Sequence, residues 1–254
     1  MNDEVLFETV DGIAVITLNR PGRRNAINGA VIEGLASVWE RLEQDPALKV
    51  GVLTGAGDKS FCAGMDLKEA AALGVGVPPR HLFPVLGDNV KLSKPVIAAV
   101  NGVAYAGGWL FAQMCDLCIA AEQATFGITE AKVGRGMPWA VPLARMLPQR
   151  IMMELLLTGR PMTARRAYEL GYVNEVVPLE QLRDKALDLA RSIAANAPLT
   201  VRAAREMVYL CGETHRSEGL EAAYRLFEPV YRSEDALEGP RAFSEKRAPR
   251  WQGR

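Results

Sequence analysis

The apolar positions of this chain change period several times, and each change marks an element. Leu6–Val10 and Ile13–Leu18 flank Asp11-Gly12, a dipeptide suited to a two-residue hairpin turn, which predicts two antiparallel strands. A basic stretch, Asn19-Arg20-Pro21-Gly22-Arg23-Arg24-Asn25-Ala26, has no period and reads as an irregular loop. Val31, Leu35, Val38 and Leu42 then recur at helical spacing behind Asn28, a capping residue, and Asp45-Pro46 stops the run. Val50–Thr54 reads as a short buried strand, and the Gly-rich loop from Gly55 to Leu67 leads into a helix. Residues 70–93, with Pro78-Pro79, show no pattern and are expected to lid or line a pocket.

From Lys94 to Glu122 the chain packs apolar elements against glycine turns. It predicts a strand over Pro95–Val100, a tight turn at Asn101-Gly102, and a bend at Gly107-Gly108. A short helix from about Trp109 to Met114 and a strand over Leu117–Ala121 follow. Residues 126–148 hold Glu130 and the loop Gly134-Arg135-Gly136-Met137-Pro138-Trp139. Helices are then expected over Met152–Thr158 and from Thr163 to Gly171, with a brief strand at Val173–Val177. Leu179, Leu182, Ala186, Leu189 and Ile193 trace an amphipathic stripe. Thr200–Leu210, Glu218–Tyr231 and Asp235–Arg247 complete a helical end, the last interrupted at Gly239-Pro240. Strand–strand–helix units thus precede helices, with no low-complexity linker between them.

Composition narrows the class. The 254 residues are 49% hydrophobic and 24% charged, as in a globule with a sizeable core. Thirty basic residues balance thirty acidic ones, which gives no support to nucleic-acid or membrane partners. No basic-then-apolar leader opens the chain, and no apolar run approaches a membrane span. Four cysteines, two of them in or beside an apolar strand, suit reduced thiols, and the expected location is cytoplasmic.

Chemistry is sparse. Cys115 and Cys118 lack a second pair or a nearby His and read as core rather than metal ligands, so no metal site is expected. His81 and His215 lie beside no Ser or Cys nucleophile, which weakens a hydrolase reading. Gly107-Gly108 allows two readings. Glycine before a helix lets N–H groups and the helix dipole meet a developing negative charge, or it fits a close helix–strand contact. The pair taken alone favours packing.

Several motifs in this order resemble the enoyl-CoA hydratase/isomerase, or crotonase, family. They are Leu18-Asn19-Arg20-Pro21 with Asn25-Ala26, Phe61-Cys62-Ala63-Gly64-Met65-Asp66-Leu67, and Lys94-Pro95-Val96-Ile97-Ala98-Ala99-Val100-Asn101-Gly102. Ala106-Gly107-Gly108, Cys115-Asp116, Phe126-Gly127 with Glu130, and the ending from Phe243 through Lys246-Arg247 to Trp251 continue them over nearly the whole chain. The resemblance implies an α/β fold: a crotonase-like spiral of ββα units. It implies an acyl-CoA-binding core over residues 1–198 and a C-terminal helical trimerisation region over residues 199–254. The assembly implied is a homotrimer or a dimer of trimers.

By the same resemblance the substrate is an acyl-CoA thioester. It brings its own CoA, so no cofactor is expected. The backbone N–H groups of Met65 and Gly107 would hold the thioester oxygen, and Glu130 would act as base. Arg23, Arg24 and Lys246 look like CoA-phosphate contacts, or equally solvated charge. Ala26, Ala63 and Leu67 fall at substrate-side positions, with Leu110 and Trp139 beside the acyl group. Asp66 and Lys68 flank the oxyanion loop as structural or adenine-side groups. Glu130 has a plainer reading as a surface residue between strand and helix.

One departure bears on the reaction. Hydratases of the family use two glutamates, and the second position, three residues after Gly107, is Leu110 here. The loop Met137-Pro138-Trp139-Ala140-Val141-Pro142 also stands where hydratases are richer in glycine. A single carboxylate suits a proton shuttle, so double-bond isomerisation is the leading expectation. Hydration with a substitute acid from residues 70–93, and hydrolysis or decarboxylation, remain open, as fold does not settle chemistry. A non-catalytic assembly or RNA-binding homologue is the more remote reading.

Overall fold

The computed structural model describes residues 3–72 and 79–254. The hairpin forms as its turn predicts: β1 (Val5–Val10) pairs antiparallel with β2 (Ile13–Leu18). Helix α1 (Gly29–Gln44) starts where Asn28 accepts a hydrogen bond from the N–H of Val31 at 3.0 Å. Its stripe of Val31, Leu35, Val38 and Leu42 is fully buried.

The next elements alternate between two sheets. β3 (Val50–Gly55), β5 (Val96–Val100) and β7 (Leu117–Ala121) extend the first sheet in parallel, giving the order β1-β2-β3-β5-β7-β10, with β10 at Glu175–Val177. After each of those three strands the chain crosses to a second, smaller sheet. There β4 (Ser60–Cys62), β6 (Val103–Tyr105) and β8 (Thr125–Gly127) run parallel, and the two-residue β9 (Met162–Thr163) closes the edge antiparallel. Helices α2 (Leu67–Ala72) and α3 (Gly107–Gln113) follow β4 and β6. Strand, strand, helix is therefore the repeat, and the spiral of ββα units expected from the resemblance is the observed fold.

Beyond β8 come the short α4 (Leu143–Met146), α5 (Gln149–Thr158) and α6 (Ala164–Glu169), the last capped by Thr163. Helix α7 (Leu182–Ala194) buries Leu182, Ala186, Leu187 and Ala190, while Leu189 and Ile193 of the expected stripe are only half-buried. The chain divides into two compact units, Met1–Ala190 and Arg191–Arg254. The second holds α8 (Pro198–Cys211), α9 (Arg216–Tyr231) and α10 (Glu234–Ser244). Its tail is fastened by Asp235, whose carboxylate accepts from the N–H groups of Gln252 and Gly253 at 2.6 and 2.9 Å.

Four expectations need correction. Pro21–Arg23 is a 3-10 turn rather than irregular loop, because Pro presets the helical φ and Arg24 closes the turn at φ 52°. The bend assigned to Gly107-Gly108 falls at Ala106, at φ 51° and ψ −122°, and the helix already begins at Gly107. Helix α10 runs through Gly239-Pro240 without a break; Pro removes one intrahelical donor, and Trp251 lies 3.5 Å from where a Cβ on Gly239 would stand. The Gly-rich stretch after β3 is not all loop, since it contains β4.

The lid expectation for residues 70–93 falls partly on 73–78, outside the described residues. From Pro79 onward the segment is a compact loop gathered by Asn89, whose side chain bonds Val85 and Phe83, and Leu86 and Leu92 are buried. Asp88, the acid in that segment, is exposed beside Arg80 and His81 at 3.5 and 3.9 Å.

Lys94 precedes β5 and is almost wholly buried. Its ammonium donates to the carbonyls of Leu42 and Asp45, both at 2.6 Å, closing the C-terminal end of α1. Lys94→Met keeps the apolar stem and strips those carbonyls of their donor. We expect it to lower unfolding free energy by about 1–3 kcal/mol, read as a lower urea midpoint at unchanged slope. An unchanged midpoint contradicts the capping role.

Candidate active site

The parallel small sheet brings the site together. β4, β6 and β8 are adjacent and run the same way, so the loops leaving their C-terminal ends lie side by side. Met65 follows β4, Gly107 follows β6 and Glu130 follows β8. Neighbouring strands stand about 4.8 Å apart, so three residues distant in sequence open onto one edge. Ligands commonly sit at the carboxyl ends of parallel strands.

The first two loops interlock closely. A Cβ on Gly107 would stand 3.9 Å from the Met65 nitrogen, and one on Gly64 would stand 3.4 Å from the Gly107 nitrogen. Neither the Met65 nor the Gly107 N–H has a protein acceptor among the described residues. Their neighbours are spoken for. Gly64 presents its carbonyl to Ile27 at 2.8 Å, Asp66 donates to the Ile27 carbonyl at 2.8 Å, and Ala106 donates to Gly127. Two unpaired donors at one point, one opening a helix, suit an oxyanion.

The glycine pair divides between its two readings. A Cβ on Gly108 would fall 2.0 Å from the Cys62 carbonyl oxygen, so Gly108 serves the contact between α3 and β4. On Gly107 the methyl would meet only the terminal Cδ1 of Ile27, at 2.7 Å. Gly107 leaves an N–H without an acceptor among the described residues, and Gly108 allows the close approach.

Glu130 opens the 3-10 turn Glu130–Val133 and is only 7% exposed, so the surface reading is wrong. Its Oε1 accepts from the indole N–H of Trp139 at 2.7 Å. Its Oε2 is buried with no partner among the described residues. Burial raises the carboxyl above its ordinary pKa, against the opposing hydrogen bonds from Trp139 and the local backbone. A buried, partly unpaired carboxylate of raised pKa is suited to taking a proton. Leu110 is also buried, on the first turns of α3.

Most of the remaining expected residues belong to the same unit as this edge. Arg24 is exposed and Ala26 half-buried on a loop laced to the oxyanion turn, where Ala63 donates to the Arg24 carbonyl at 3.0 Å. Asp66 is paired with Arg20 at 3.2 Å; burial opposes its ionisation, but Arg20 and backbone N–H groups more than offset that and hold it below the usual range. Leu67 and Lys68 are exposed at the start of α2, and Lys246 is exposed in the second unit at φ 52°. Burial pushes the Cys62 thiol up to about 12, so it is a weak acceptor for the Gly64 N–H at 3.5 Å rather than a nucleophile.

Two residues, Asn25 and Gln113, and the bond of Trp139 to Glu130 lie outside the expectations from sequence. Asn25 is wholly buried at φ 54°, and its side chain bonds Ala56, Ser60 and Arg20. The tolerance of Asn for left-handed backbone was the available signal. Trp139 was placed beside the acyl group, but its bond to Glu130 had no signal. Gln113, which donates to the Trp139 carbonyl at 2.6 Å, looked like ordinary helix. A separate cavity of about 180 Å³, lined by Val52, Thr54, Ala99, Leu182 and Leu187 among others, shares no residue with this edge.

The fold and this edge point to a class: enzymes built on a ββα spiral, here with two backbone N–H groups and a buried carboxylate at the carboxyl ends of neighbouring strands. The family model described as enoyl-CoA hydratase/isomerase matches residues 8–254, and the chain belongs to that family. It is 38% identical to (E)-benzylidenesuccinyl-CoA hydratase of Thauera aromatica, over 98% of this chain and 99% of that protein. It is also 38% identical to the carnitinyl-CoA dehydratase of Proteus mirabilis, over the full length of both. The crystal structure of enoyl-CoA hydratase EchA1 from Mycobacterium marinum superimposes with a TM-score of 0.92 at 40% identity, covering both chains fully.

The division of the glycine pair is testable. Gly108→Ala is expected to lower stability by about 1–3 kcal/mol through overpacking and to impair turnover. Gly107→Ala keeps its N–H, displaces only a terminal methyl and should retain most activity. Thermal melts and turnover of the two variants check this, and equal damage from both sinks the assignment.

Proposed function

We propose that this protein acts on an acyl-CoA thioester through an enolate, with Glu130 as its single base. The observation that supports this most is the meeting of two unpaired N–H groups and one buried carboxylate at the ends of β4, β6 and β8. The thioester oxygen accepts from Met65 and Gly107. Glu130 Oε2 removes a proton from the carbon next to the carbonyl, and charge moves onto the oxygen. Donors fixed before the reaction stabilise that charge more than the ground state, each by about 2.7–4 kcal/mol. The same oxygen returns the proton two carbons away, so a 3-enoyl-CoA becomes a 2-enoyl-CoA with protons balanced.

Isomerisation is favoured because Leu110 offers no second carboxyl, and Asp88 is held at the surface by Arg80. The names of the relatives favour a second reading, hydration or dehydration of a 2-enoyl-CoA. Either reaction needs no cofactor beyond the CoA of the substrate. Arg24 is our candidate for a CoA phosphate, with Lys246 as a further cation of the same kind. The cytoplasmic setting remains part of this reading; among the described residues no helix is long and apolar enough to cross a membrane.

Assembly belongs to the proposal too. Helix α9 has no buried residue, and Tyr224, Tyr231, Leu237 and Phe243 stand exposed in the second unit. Such a surface suits subunit contacts. We infer a homotrimer or a dimer of trimers built through residues 199–254. Sedimentation of the purified protein as a monomer at micromolar concentration overturns this.

Glu130→Gln should cut turnover about 10²–10⁴-fold and leave CoA-ester binding intact. The base works ionised, so parent activity should fall as pH drops through a point above the ordinary carboxylate range. Stability should move oppositely. A raised folded pKa makes the ionised form costly above the unfolded pKa, and that cost is complete above the folded one. Glu130→Gln should therefore be at least as stable as the parent at pH 8 and lose that advantage in acid. Parent, Glu130→Gln and Leu110→Glu are each incubated with a 2-enoyl-CoA and a 3-enoyl-CoA. Isomerisation by the parent, and hydration gained with Leu110→Glu, are the expected results. Rapid hydration by the parent that survives Glu130→Gln defeats the single-base reading.

A further inference from the structure

Glu130 does not stand alone in its pocket. Trp139 Nε1 lies 2.7 Å from Oε1, and Gln113 Nε2 lies 2.6 Å from the Trp139 carbonyl oxygen. Gln113 is 5% exposed and ends the helix that Gly107 begins. Seven residues rising about 1.5 Å each separate the two ends of α3 by about 9 Å. One short helix thus presents an oxyanion donor at its start and fastens the neighbour of the base at its end.

We propose that Trp139 and Gln113 are positioning residues that commit Glu130 to a single working oxygen, Oε2, and register it against the N–H of Gly107. This rests on Glu130 being the base. The carboxyl has two oxygens, and the indole occupies one with a charge-assisted bond, the stronger kind. Rotation of the carboxyl would break that bond inside a buried site, so the free lone pairs stay on Oε2. That atom is buried without a partner among the described residues, as a proton acceptor awaiting its substrate would be. An indole donates but never accepts, so it cannot compete for the transferred proton.

Gln113 adds the second constraint. Its amide holds the peptide of Trp139, in the 3-10 turn Pro138–Ala140, directly to α3. A shift of α3 therefore carries the oxyanion donor and the clamp on the base together. Neighbouring charges do not set the geometry. Lys132 and Arg135, near Glu130 in sequence, and Arg150 and Glu154 on the adjacent α5 are all exposed. None of them is among the groups that shift Glu130, and α3 carries no titratable side chain.

The test uses Trp139→Phe, which keeps a ring and deletes the donor, and Gln113→Met, which keeps length and deletes the amide. The Glu130 carboxyl is titrated by ¹³C NMR in the free protein, and kcat and KM are followed against pH. Loss of the indole bond should move the Glu130 midpoint and the acidic limb of kcat/KM upward together. Turnover should fall by up to about 100-fold, the scale of a small misplacement, with KM nearly unchanged. Gln113→Met should move the same limb by less, and the two effects should not add, since they act on one unit. A general loosening of the fold would lower activity at every pH and leave the limb in place. If Glu130→Gln is inactive yet both variants titrate as the parent does, the positioning role is overturned and the base stands. If Glu130→Gln stays active, the base and its positioning fall together.

Discussion

The approach of α3 to β4, with Gly108 against the Cys62 carbonyl, is the constraint on which the site depends. A side chain at 108 would push α3 off the strand and carry the Gly107 N–H away from that of Met65. The strain needed to reach this contact is local. Ala106 holds a positive φ that L-residues avoid, and the Ala106 N–H bond to Gly127 and the helix bonds back to Ala106 keep it there. Neither donor belongs to a side chain. Substitutions that preserve this backbone path keep both N–H groups in place, whatever residue stands at 65.

Burial of Glu130 works against stability and for chemistry. An ionised carboxylate with one bare oxygen is expensive in an apolar setting, and the raised pKa records that expense. Bonded polar groups elsewhere in the same unit help to offset that cost. Lys94 closes α1, Asn25 ties the basic loop to β4, and Asp116 accepts from the Val96 N–H at 2.8 Å at the head of β7. These groups are bonded, while Glu130 Oε2 is not.

Regular elements were legible because each had a repeating signal. The hairpin turn, the Asn28 cap with its four-residue stripe, and the apolar strands β5 and β7 were all read close to where they lie. Errors came where local signals competed. Gly107-Gly108 reads as a bend by composition, but the turn is made by Ala106, which has no sequence reason to take positive φ. Pro240 reads as a break, yet one missing donor is tolerated within a helix capped by Ser233 at 3.2 Å. Of the site, the motif residues were legible by resemblance. The Trp139 bond to Glu130 was not, because it joins two loops through side-chain directions that no spacing encodes.

Trp139 also bears on why the chemistry would differ from hydration. Syn addition of water needs an oxygen held between a base and an acid, so both a second carboxyl and room for water must be present. Leu110 removes the first. The indole removes part of the second, since it occupies one lone pair of Oε1 that would otherwise be open to a water beside the base. The two departures from the glycine-rich, two-glutamate pattern thus act in one direction. One withholds a second carboxyl and the other engages an oxygen of the base, and both favour the proposed proton shuttle over addition of water.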